Sequence, residues 1–232
     1  MRFPLAIIPA AGMGSRMGKL TEDGTPKCLL PVNGVPMIVH VVRFWADYAE
    51  KIVVVVVPDK RDAFVLSLLS DAQVQDYLRM GGVLEAVIQH APLGAPNAVW
   101  QAFDQIGYCP KRFIVALGDC LFDGKFTRDP RTEVDRHWNR HWKCGVAVMD
   151  DSSDMARSYA VDRNGGPMVE KPAMGLGAYF FTWYALSAFR GTVGASMTDV
   201  MERLRVTEGV ELRRFEGRYL NATTPEDLER WA

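Results

Sequence analysis

The sequence predicts an α/β protein whose central sheet is mostly parallel and is flanked by helices. Short apolar runs alternate with segments of helical period through the first half of the 232-residue chain. The run at 52–57, Ile-Val-Val-Val-Val-Val, has the β-branched density of a strand that is buried on both faces. A glycine-rich loop follows the first apolar run directly. This order is typical of a Rossmann-like sheet, in which ligands gather at the carboxyl ends of the strands.

The elements of the first half follow from these two periods. The apolar runs predict strands at 5–10, 52–57, 83–89 and 113–117. The segments of helical period predict helices at 37–48, 61–69, 72–80 and 95–106. Because strands and helices alternate, we expect the strands to run parallel under a cover of helices.

The second half has a less regular pattern. Residues 122–142 are polar and aromatic, and we interpret them as an insertion that carries a helix near 133–141. Further strands are predicted at 145–149, 158–161, 178–182 and 210–215, and further helices near 196–204 and from 224 onwards. The sequence contains no repeat or obvious linker. We therefore expect a single domain over 1–232, with one half at about 1–120 and a second half, carrying a small appended lobe, at about 121–232.

Composition and charge exclude several classes of function. The 27 Lys and Arg residues nearly cancel the 28 Asp and Glu residues, so no broad field favours nucleic acid or an anionic membrane. The four cysteines contain no Cys-x-x-Cys pair, which argues against a zinc ribbon and favours free thiols in a reducing compartment. The N-terminal apolar run is too short for a membrane span. These features predict a cytoplasmic protein.

The most informative motif is the loop at 9–18, Pro-Ala-Ala-Gly-Met-Gly-Ser-Arg-Met-Gly. Gly12 and Gly14 permit backbone angles and close approaches that a Cβ would block. Backbone N–H groups in such a loop can cradle phosphate oxygens, and Arg16 adds a forked cationic donor. Lys27, in the sequence Thr-Pro-Lys, supplies a second cation. The motif therefore predicts a phosphate-binding loop.

Other interpretations of the loop are open. A dinucleotide-binding turn would have its third glycine one place before Gly18, although Asp59 beyond the second strand fits the acidic residue of that pattern. Such a turn gives no role to Arg16 and Lys27. A P-loop is excluded, because no Gly-Lys-Ser/Thr follows at the required spacing. The structural alternative is a tight turn that binds nothing.

A carboxylate also lies where the edge of the sheet is expected. Asp119 comes two residues after the end of the predicted strand at 113–117, in the sequence Leu-Gly-Asp. Magnesium prefers hard oxygen ligands, and it usually takes one or two carboxylates together with phosphate oxygens. Asp119 is therefore a candidate Mg²⁺ ligand, and a cap on the following turn is its structural alternative.

These motifs together resemble the sugar-phosphate nucleotidyltransferase superfamily. The loop at 9–17 and the segment at 25–37, Thr-Pro-Lys-Cys-Leu-Leu-Pro-Val-Asn-Gly-Val-Pro-Met, look like the signature of that superfamily. The segments Leu-Gly-Asp at 117–119, Glu-Lys-Pro at 170–172 and Asn-Ala-Thr-Thr-Pro-Glu-Asp-Leu at 221–228 follow in the expected order. The resemblance implies an NTP-binding first half and an acceptor-binding second half.

The resemblance also implies a role for each candidate residue. Arg16 and Lys27 would be catalytic, holding the triphosphate and stabilising pyrophosphate as it leaves. Asp119 and Asn221 would bind Mg²⁺, and Glu170 and Lys171 would bind the acceptor. The nucleotide would contact the loop residues and a Gln–Gly pair around the base, namely Ala10, Ala11, Gly12, Met13, Gly14, Ser15, Gln89 and Gly94. A solvated strand-end Gln and a solvated Glu-Lys pair are the structural alternatives at those two places.

The expected activity is the transfer of CMP or UMP from CTP or UTP to the phosphate or phosphonate of a small metabolite. The opening Ala10-Ala11-Gly12 resembles the compact cytidylyl and uridylyl branches, whereas Gly-Gly openings are common in guanylyl and thymidylyl enzymes. The Gln89 amide offers both a donor and an acceptor, so it does not separate CTP from UTP. A sugar-1-phosphate guanylyl- or thymidylyltransferase, a silent nucleotide-binding regulatory subunit and a nicotinamide oxidoreductase are the alternatives. The oligomeric state is open, and a homo-oligomer is compatible with the sequence.

Overall fold

A computed structural model describes residues 2–127, 144–149, 160–161, 173–208 and 211–231. The strands are β1 (Ala6–Pro9), β2 (Pro31–Val32), β3 (Val35–Pro36), β4 (Lys51–Val56), β5 (Val83–Ile88), β6 (Arg112–Ala116), β7 (Cys120–Phe126), β8 (Cys144–Met149), β9 (Ala160–Val161), β10 (Ala173–Thr182) and β11 (Glu211–Asn221). The α-helices are α1 (Met37–Ala46), α2 (Arg61–Leu69), α3 (Ala72–Arg79), α4 (Ala95–Ile106), α5 (Met197–Glu208) and α6 (Pro225–Arg230). Short 3₁₀ helices cover Ser15–Thr21, Lys27–Leu29, Pro58–Lys60 and Trp183–Phe189.

The main sheet has the strand order β5-β4-β1-β6-β10-β8-β11-β7, with β9 paired to β10. The four strands of the first half run parallel, and β11 also runs parallel to β8. Strand β10 is antiparallel to both of its neighbours along the sheet, and β7 is antiparallel to β11. The predicted sheet, mostly parallel, Rossmann-like and flanked by helices, is confirmed. Strands β2 and β3 form a separate small hairpin.

The strand order changes direction beside β1. From β1 the chain adds β4 and then β5 on one side, and afterwards returns to place β6 on the other side. In parallel α/β sheets such a reversal opens a crevice beyond the carboxyl ends of the two strands. The segments after Pro9 and after Ala116 therefore start on either side of one crevice.

Strand β4 shows why the sheet is buried on both faces. Ile52, Val54 and Val56 contribute to the apolar core that α1, α2 and α3 cover, while Val53 and Val55 contribute to the core on the α4 side. Side chains alternate along a strand, so both faces of β4 need apolar residues. The unbroken β-branched run identified in the sequence meets this requirement.

Strands β7 and β11 correct the interpretation of 122–142 as an insertion, because residues 122–126 lie in β7. Phe122 and Phe126 pack with Phe44 and Trp45 of α1. Gly124 lies between the two phenylalanines and interrupts their period of two, which obscured the strand in the sequence.

The same glycine faces a second glycine across the two strands. Gly124 pairs with Gly217, and both have positive φ angles, 153° and 142°. A Cβ on Gly124 would lie 2.1 Å from the carbonyl oxygen of Glu216, and one on Gly217 would lie 2.2 Å from that of Asp123. Only glycine fits this crossing. The strand predicted at 210–215 is β11, which extends beyond the predicted end through Gly217 to Asn221; residue 210 lies outside the described residues.

The remaining differences concern the ends of elements. Helices α2 and α4 have the predicted bounds, while β10 begins five residues earlier than predicted, at Ala173. The helix predicted at 133–141 lies outside the described residues, as do the first two residues of the strand predicted at 158–161. In the part of the chain that the structure describes, no helix is both long and apolar enough to cross a membrane.

An ion pair between α1 and the start of α3 leads to a prediction about stability. Asp71 caps α3 by accepting the backbone N–H groups of Gln73 and Val74, each at 3.1 Å. Arg43 donates two hydrogen bonds to the same carboxylate, and this contact lowers the pKa of Asp71. Asp71→Ala should therefore lower the free energy of unfolding by about 1–3 kcal/mol at neutral pH. Urea denaturation measures this difference.

The pH dependence of that difference follows from the lowered pKa of Asp71. The ionised carboxylate contributes stability above the pKa that it has in the unfolded chain, about 3.9, and loses it as the pH falls through the lower pKa of the folded state. The difference between wild type and Asp71→Ala should thus shrink as the pH falls below about 4. Asp76→Ala is the control, because its pair with Arg79 is exposed and should contribute less than about 0.5 kcal/mol. An equal loss in both variants would contradict this account.

Candidate functional site

A cavity of about 400 Å³ opens at the carboxyl edge of the sheet, in the crevice between β1 and β6. Its walls come from the loop after β1, the start of the Lys27–Leu29 helix, the loop between β5 and α4, and the segment after β6. The lining residues are Pro9, Ala11, Gly12, Met13, Gly14, Ser15, Arg16, Lys27, Cys28, Gln89, Pro92, Gly94, Ala95, Leu117, Asp119 and Thr223. Four separate stretches of the first half and one from the C-terminal part therefore meet here.

The glycine loop packs directly on the stem of Lys27. Gly14 has a φ of 66°, and a Cβ on it would lie 2.7 Å from the Cβ of Lys27. The carbonyl of Gly14 accepts hydrogen bonds from the N–H of Met17 at 2.8 Å and from the hydroxyl of Thr21 at 3.1 Å. Gly12 differs, because a Cβ there would meet no atom of the described residues within 4 Å. The contact with Lys27 thus explains why position 14 is a glycine, whereas no contact among the described residues explains the glycine at position 12.

Lys27 and Asp119 form an ion pair in the wall of the cavity. The Lys27 ammonium donates a hydrogen bond to Oδ2 of Asp119, 92 residues further along the chain. Only 8% of Lys27 is exposed, whereas Arg16 lies exposed at the mouth of the loop. The pair neutralises two charges that the low-dielectric wall would otherwise have to hold separately. Lys27 is therefore held in place before any ligand arrives.

Asp119 is fixed by the backbone on both sides. Gly118 donates its N–H to the carbonyl of Pro9 at 3.1 Å, which joins the end of β6 to the end of β1. A Cβ on Gly118 would lie 2.9 Å from that same oxygen, so a larger residue would push the two strand ends apart. The carbonyl of Asp119 accepts the N–H of Ala222 at 2.9 Å. These bonds bring the C-terminal segment to the edge of the site.

The structure places Asn221 beside the site but outside the cavity lining. It is the last residue of β11 and pairs with Cys120. Two residues later Thr223 does line the cavity, and its N–H and that of Thr224 each donate to Asp227 at 2.8 Å. This capping box begins α6 and fixes the segment after Asn221.

Two buried thiols and a phenol lie behind Asp119. Burial, with the nearby Asp119 charge, raises the pKa of Cys28 to about 12 and that of Cys120 well above its usual value. Burial, with Cys120 beside it, also raises the pKa of Tyr219, whose hydroxyl lies 3.2 Å from the Cys120 sulfur and accepts the N–H of Gly177 at 3.1 Å. These groups therefore stay protonated and uncharged at neutral pH, and they pack behind Asp119 without adding charge to the site. Sequence reasoning missed them, although Cys28 and Cys120 directly follow two of the predicted site residues.

Gln89 and Gly94 form the far wall of the cavity. Gln89 is 4% exposed, and its Nε2 donates to the carbonyl of Gly94 at 3.1 Å. Gly94 has a φ of 92°, and a Cβ on it would lie 2.6 Å from the carbonyl oxygen of Ala195. The backbone of residues 194–195 therefore presses on the loop that begins α4, and Gly94 is the residue that permits this contact.

The structure thus brings most of the predicted site residues to one cavity. Ala10 is buried beneath the loop and does not line it. Glu170 and Lys171 lie outside the described residues. Within the described ranges no group of three or more His, Cys, Asp or Glu side chains could hold a metal ion. A single carboxylate at a cavity wall suits Mg²⁺ only where phosphate oxygens or water supply its other ligands.

A family model and several relatives match this chain. The family model described as the MobA-like NTP transferase domain matches residues 6–123. The bifunctional protein GlmU of Methanococcus maripaludis (strain C7) is 30% identical over 118 residues, which are 51% of this chain and 25% of that protein. The chain thus spans about a quarter of the length of the GlmU relatives it matches.

Two further proteins match over nearly the whole chain. The 2-C-methyl-D-erythritol 4-phosphate cytidylyltransferase of Bacillus velezensis is 25% identical and covers 97% of this chain and 92% of its own length. The inositol-1-phosphate CTP transferase of T. maritima has the same fold, with a TM-score of 0.71, 18% identity, and coverage of 100% of this chain and 94% of its own. The superfamily resemblance drawn from the motifs is confirmed.

Proposed function

Because the chain belongs to the MobA-like NTP transferase family, we propose that it transfers CMP or UMP from CTP or UTP to the phosphate or phosphonate of a small metabolite. The observation that carries this proposal is the Lys27–Asp119 ion pair in a cavity at the reversal of strand order. It places a cation and a carboxylate together beside a loop of backbone N–H groups, which is the arrangement that a metal-bound triphosphate needs.

The reaction needs positioning and charge stabilisation more than covalent help. An oxygen of the acceptor phosphate attacks the α-phosphorus, and a new P–O bond forms. The bond from the α-phosphorus to the bridging oxygen breaks, and its electron pair leaves with pyrophosphate. The attacking oxygen is already ionised at neutral pH, so no general base is required. Lys27 and Arg16 stabilise the charge that builds up on the departing pyrophosphate.

Mg²⁺ would be held by Asp119, with Asn221 as the second protein ligand. The donor set fits, because Asp119 provides a hard oxygen at the cavity wall and phosphate oxygens can complete the coordination. When bound, the ion would neutralise phosphate charge. Asn221 ends β11 outside the cavity lining, so Asp119 is the protein ligand on the cavity wall itself.

The preference for a pyrimidine nucleotide rests on sequence and on relatives. The Ala10-Ala11-Gly12 opening resembles the cytidylyl and uridylyl branches. A relative that matches over nearly the whole chain is named a cytidylyltransferase, and a protein with the same fold is named a CTP transferase. For the acceptor, we assign Glu170 and Lys171, with the Lys171 ammonium binding the acceptor's phosphate or phosphonate.

Thermal-shift measurements with CTP, UTP, dTTP, GTP and ATP, each with Mg²⁺, test the proposal first, because a ligand that binds the native state raises the melting temperature. We expect CTP or UTP to give the largest shift. Pyrophosphate release with a panel of sugar-1-phosphates, phosphocholine-like headgroups and phosphonates then identifies the acceptor. Stabilisation by GTP or dTTP alone would replace the proposal with a guanylyl- or thymidylyltransferase. Binding without pyrophosphate release would indicate a regulatory subunit.

A further inference from the structure

A row of three amides on α4 faces the carboxyl end of β5. Asn97, Gln101 and Gln105 are spaced by four residues, so they share one face of the helix. Gln105 bonds both backbone groups of Ile88, with its Oε1 accepting the N–H at 3.0 Å and its Nε2 donating to the carbonyl at 2.6 Å. The other two amides continue from this anchor towards Gln89.

The next amide has its orientation set by the backbone. The N–H of His90 can only donate, and it bonds to Oε1 of Gln101 at 3.3 Å. Gln101 must therefore turn its Nε2 towards Asn97, and it donates to Oδ1 of Asn97 at 2.9 Å. The same Oδ1 accepts Nε2 of Gln89 at 3.3 Å.

A second backbone group fixes the other end of this row. The carbonyl of Gly94 can only accept, and it takes the other hydrogen bond from Nε2 of Gln89. Both constraints demand the same orientation of the Gln89 amide. Nε2 is bound to protein acceptors, and among the described residues no donor hydrogen-bonds Oε1. Gln89 lines the cavity, so Oε1 is the amide atom available to a ligand there.

We propose that Asn97 and Gln101 are positioning residues that hold the Gln89 amide with its oxygen available to the cavity. The site then recognises the base by accepting a hydrogen bond from one of the base's own N–H groups. This inference rests on the proposed function and deepens it. A freely rotating amide would offer a donor or an acceptor equally well, whereas this one offers only an acceptor. On a pyrimidine the donating group is N3–H of uracil or the exocyclic N4–H₂ of cytosine.

A change at Gln101 tests the orientation directly. In Gln101→Glu, one carboxylate oxygen still accepts the His90 N–H, but the other faces Asn97, which must now turn its own N–H₂ towards position 101. Gln89 then has two unfavourable orientations. In one, its Nε2 faces the N–H₂ group of Asn97, so that two donors meet. In the other, its Oε1 faces the carbonyl oxygen of Gly94, so that two acceptors meet. Neither orientation is favoured, so the preference for presenting Oε1 is lost.

The measurement is the ratio of two dissociation constants determined by calorimetry with Mg²⁺. For UTP the pair is UTP and N3-methyl-UTP, and for CTP it is CTP and N4,N4-dimethyl-CTP, since methylation removes the N–H. The steric cost of the methyl groups is common to all variants and cancels between them. The ratio is the dissociation constant of the methylated nucleotide divided by that of the unmethylated one. We expect this ratio to be roughly tenfold smaller in Gln101→Glu and Asn97→Ala than in the wild type, which corresponds to about 1.4 kcal/mol.

Two further variants separate positioning from a structural role. Asn97→Asp should keep the wild-type ratio, because a carboxylate oxygen accepts from both neighbouring amides and its charge affects both nucleotides of a pair equally. Gln105→Glu, the same change one turn along α4, should also keep it. It costs the hydrogen bond to the Ile88 carbonyl, but Gln105 bonds neither Asn97 nor Gln89, so both nucleotides of a pair are affected equally. An unchanged ratio in Gln101→Glu, or an equal drop in Gln105→Glu, would overturn the inference. Absence of all nucleotide binding by the wild type would overturn the proposed function itself.

Discussion

Replacing Asp119 with asparagine is expected to lower kcat/KM about 100- to 1000-fold while the protein stays folded. Asparagine keeps the size of the side chain and removes its charge. The carboxylate is the cavity's candidate ligand for Mg²⁺, and a neutral amide is a poorer ligand for a hard cation. Pyrophosphate release measured across a range of Mg²⁺ concentrations checks this, and the variant should require more Mg²⁺ than the wild type for half-maximal activity.

The fold of this variant should be only mildly affected. Lys27 loses its ionic partner, but an asparagine oxygen can still accept its hydrogen bond, so we expect the melting temperature to fall by a few degrees at most. Asp123→Asn is the matched control, because Asp123 lies exposed on β7 four residues further along. Wild-type activity in Asp119→Asn, with an unchanged Mg²⁺ requirement, would contradict the assignment of Asp119.

The parallel half of the fold could be predicted because its signals are local. The apolar run of β4 and the helical periods of α2 and α4 each lie within one element. The position of the site followed in turn, since a loop after β1 and an acidic residue after β6 must meet at one edge of a parallel sheet. The sequence could place Gly14 and Asp119 at this edge without any knowledge of their contacts.

The features that escaped prediction depend on contacts between distant parts of the chain. Strand β7 forms by pairing with β11, and the crossing of Gly124 with Gly217, 93 residues later, permits this pairing; neither glycine signals it alone. The Lys27–Asp119 pair likewise spans 92 residues. The orientation of the Gln89 amide is set by Gly94, Asn97 and, through Gln101, the backbone of His90, so the sequence left donor and acceptor equivalent there.

Replacing Lys27 with methionine is expected to lower kcat for pyrophosphate release by about 100- to 1000-fold. Methionine is close to lysine in length, so it preserves the packing of the stem against Gly14 and removes only the charge. Lys27 is mostly buried at the cavity wall, where an ammonium stabilises developing negative charge far better than in water. Arg16→Met should cost less, roughly tenfold, because Arg16 is exposed and water screens its charge.

Rapid-quench measurement of a single turnover, combined with nucleotide binding, distinguishes this role from simple affinity. If Lys27 stabilises the departing pyrophosphate, the chemical step slows more than nucleotide binding weakens. The Asp119 carboxylate left behind is about a quarter exposed, so water can solvate it and the melting temperature should change by only a few degrees. Lys19→Met, a change of the same kind at an exposed position of the same loop region, should remain within twofold of wild type. Equal losses in Lys19→Met and Lys27→Met would mean that general charge, and not the position of Lys27 opposite Asp119, governs the reaction.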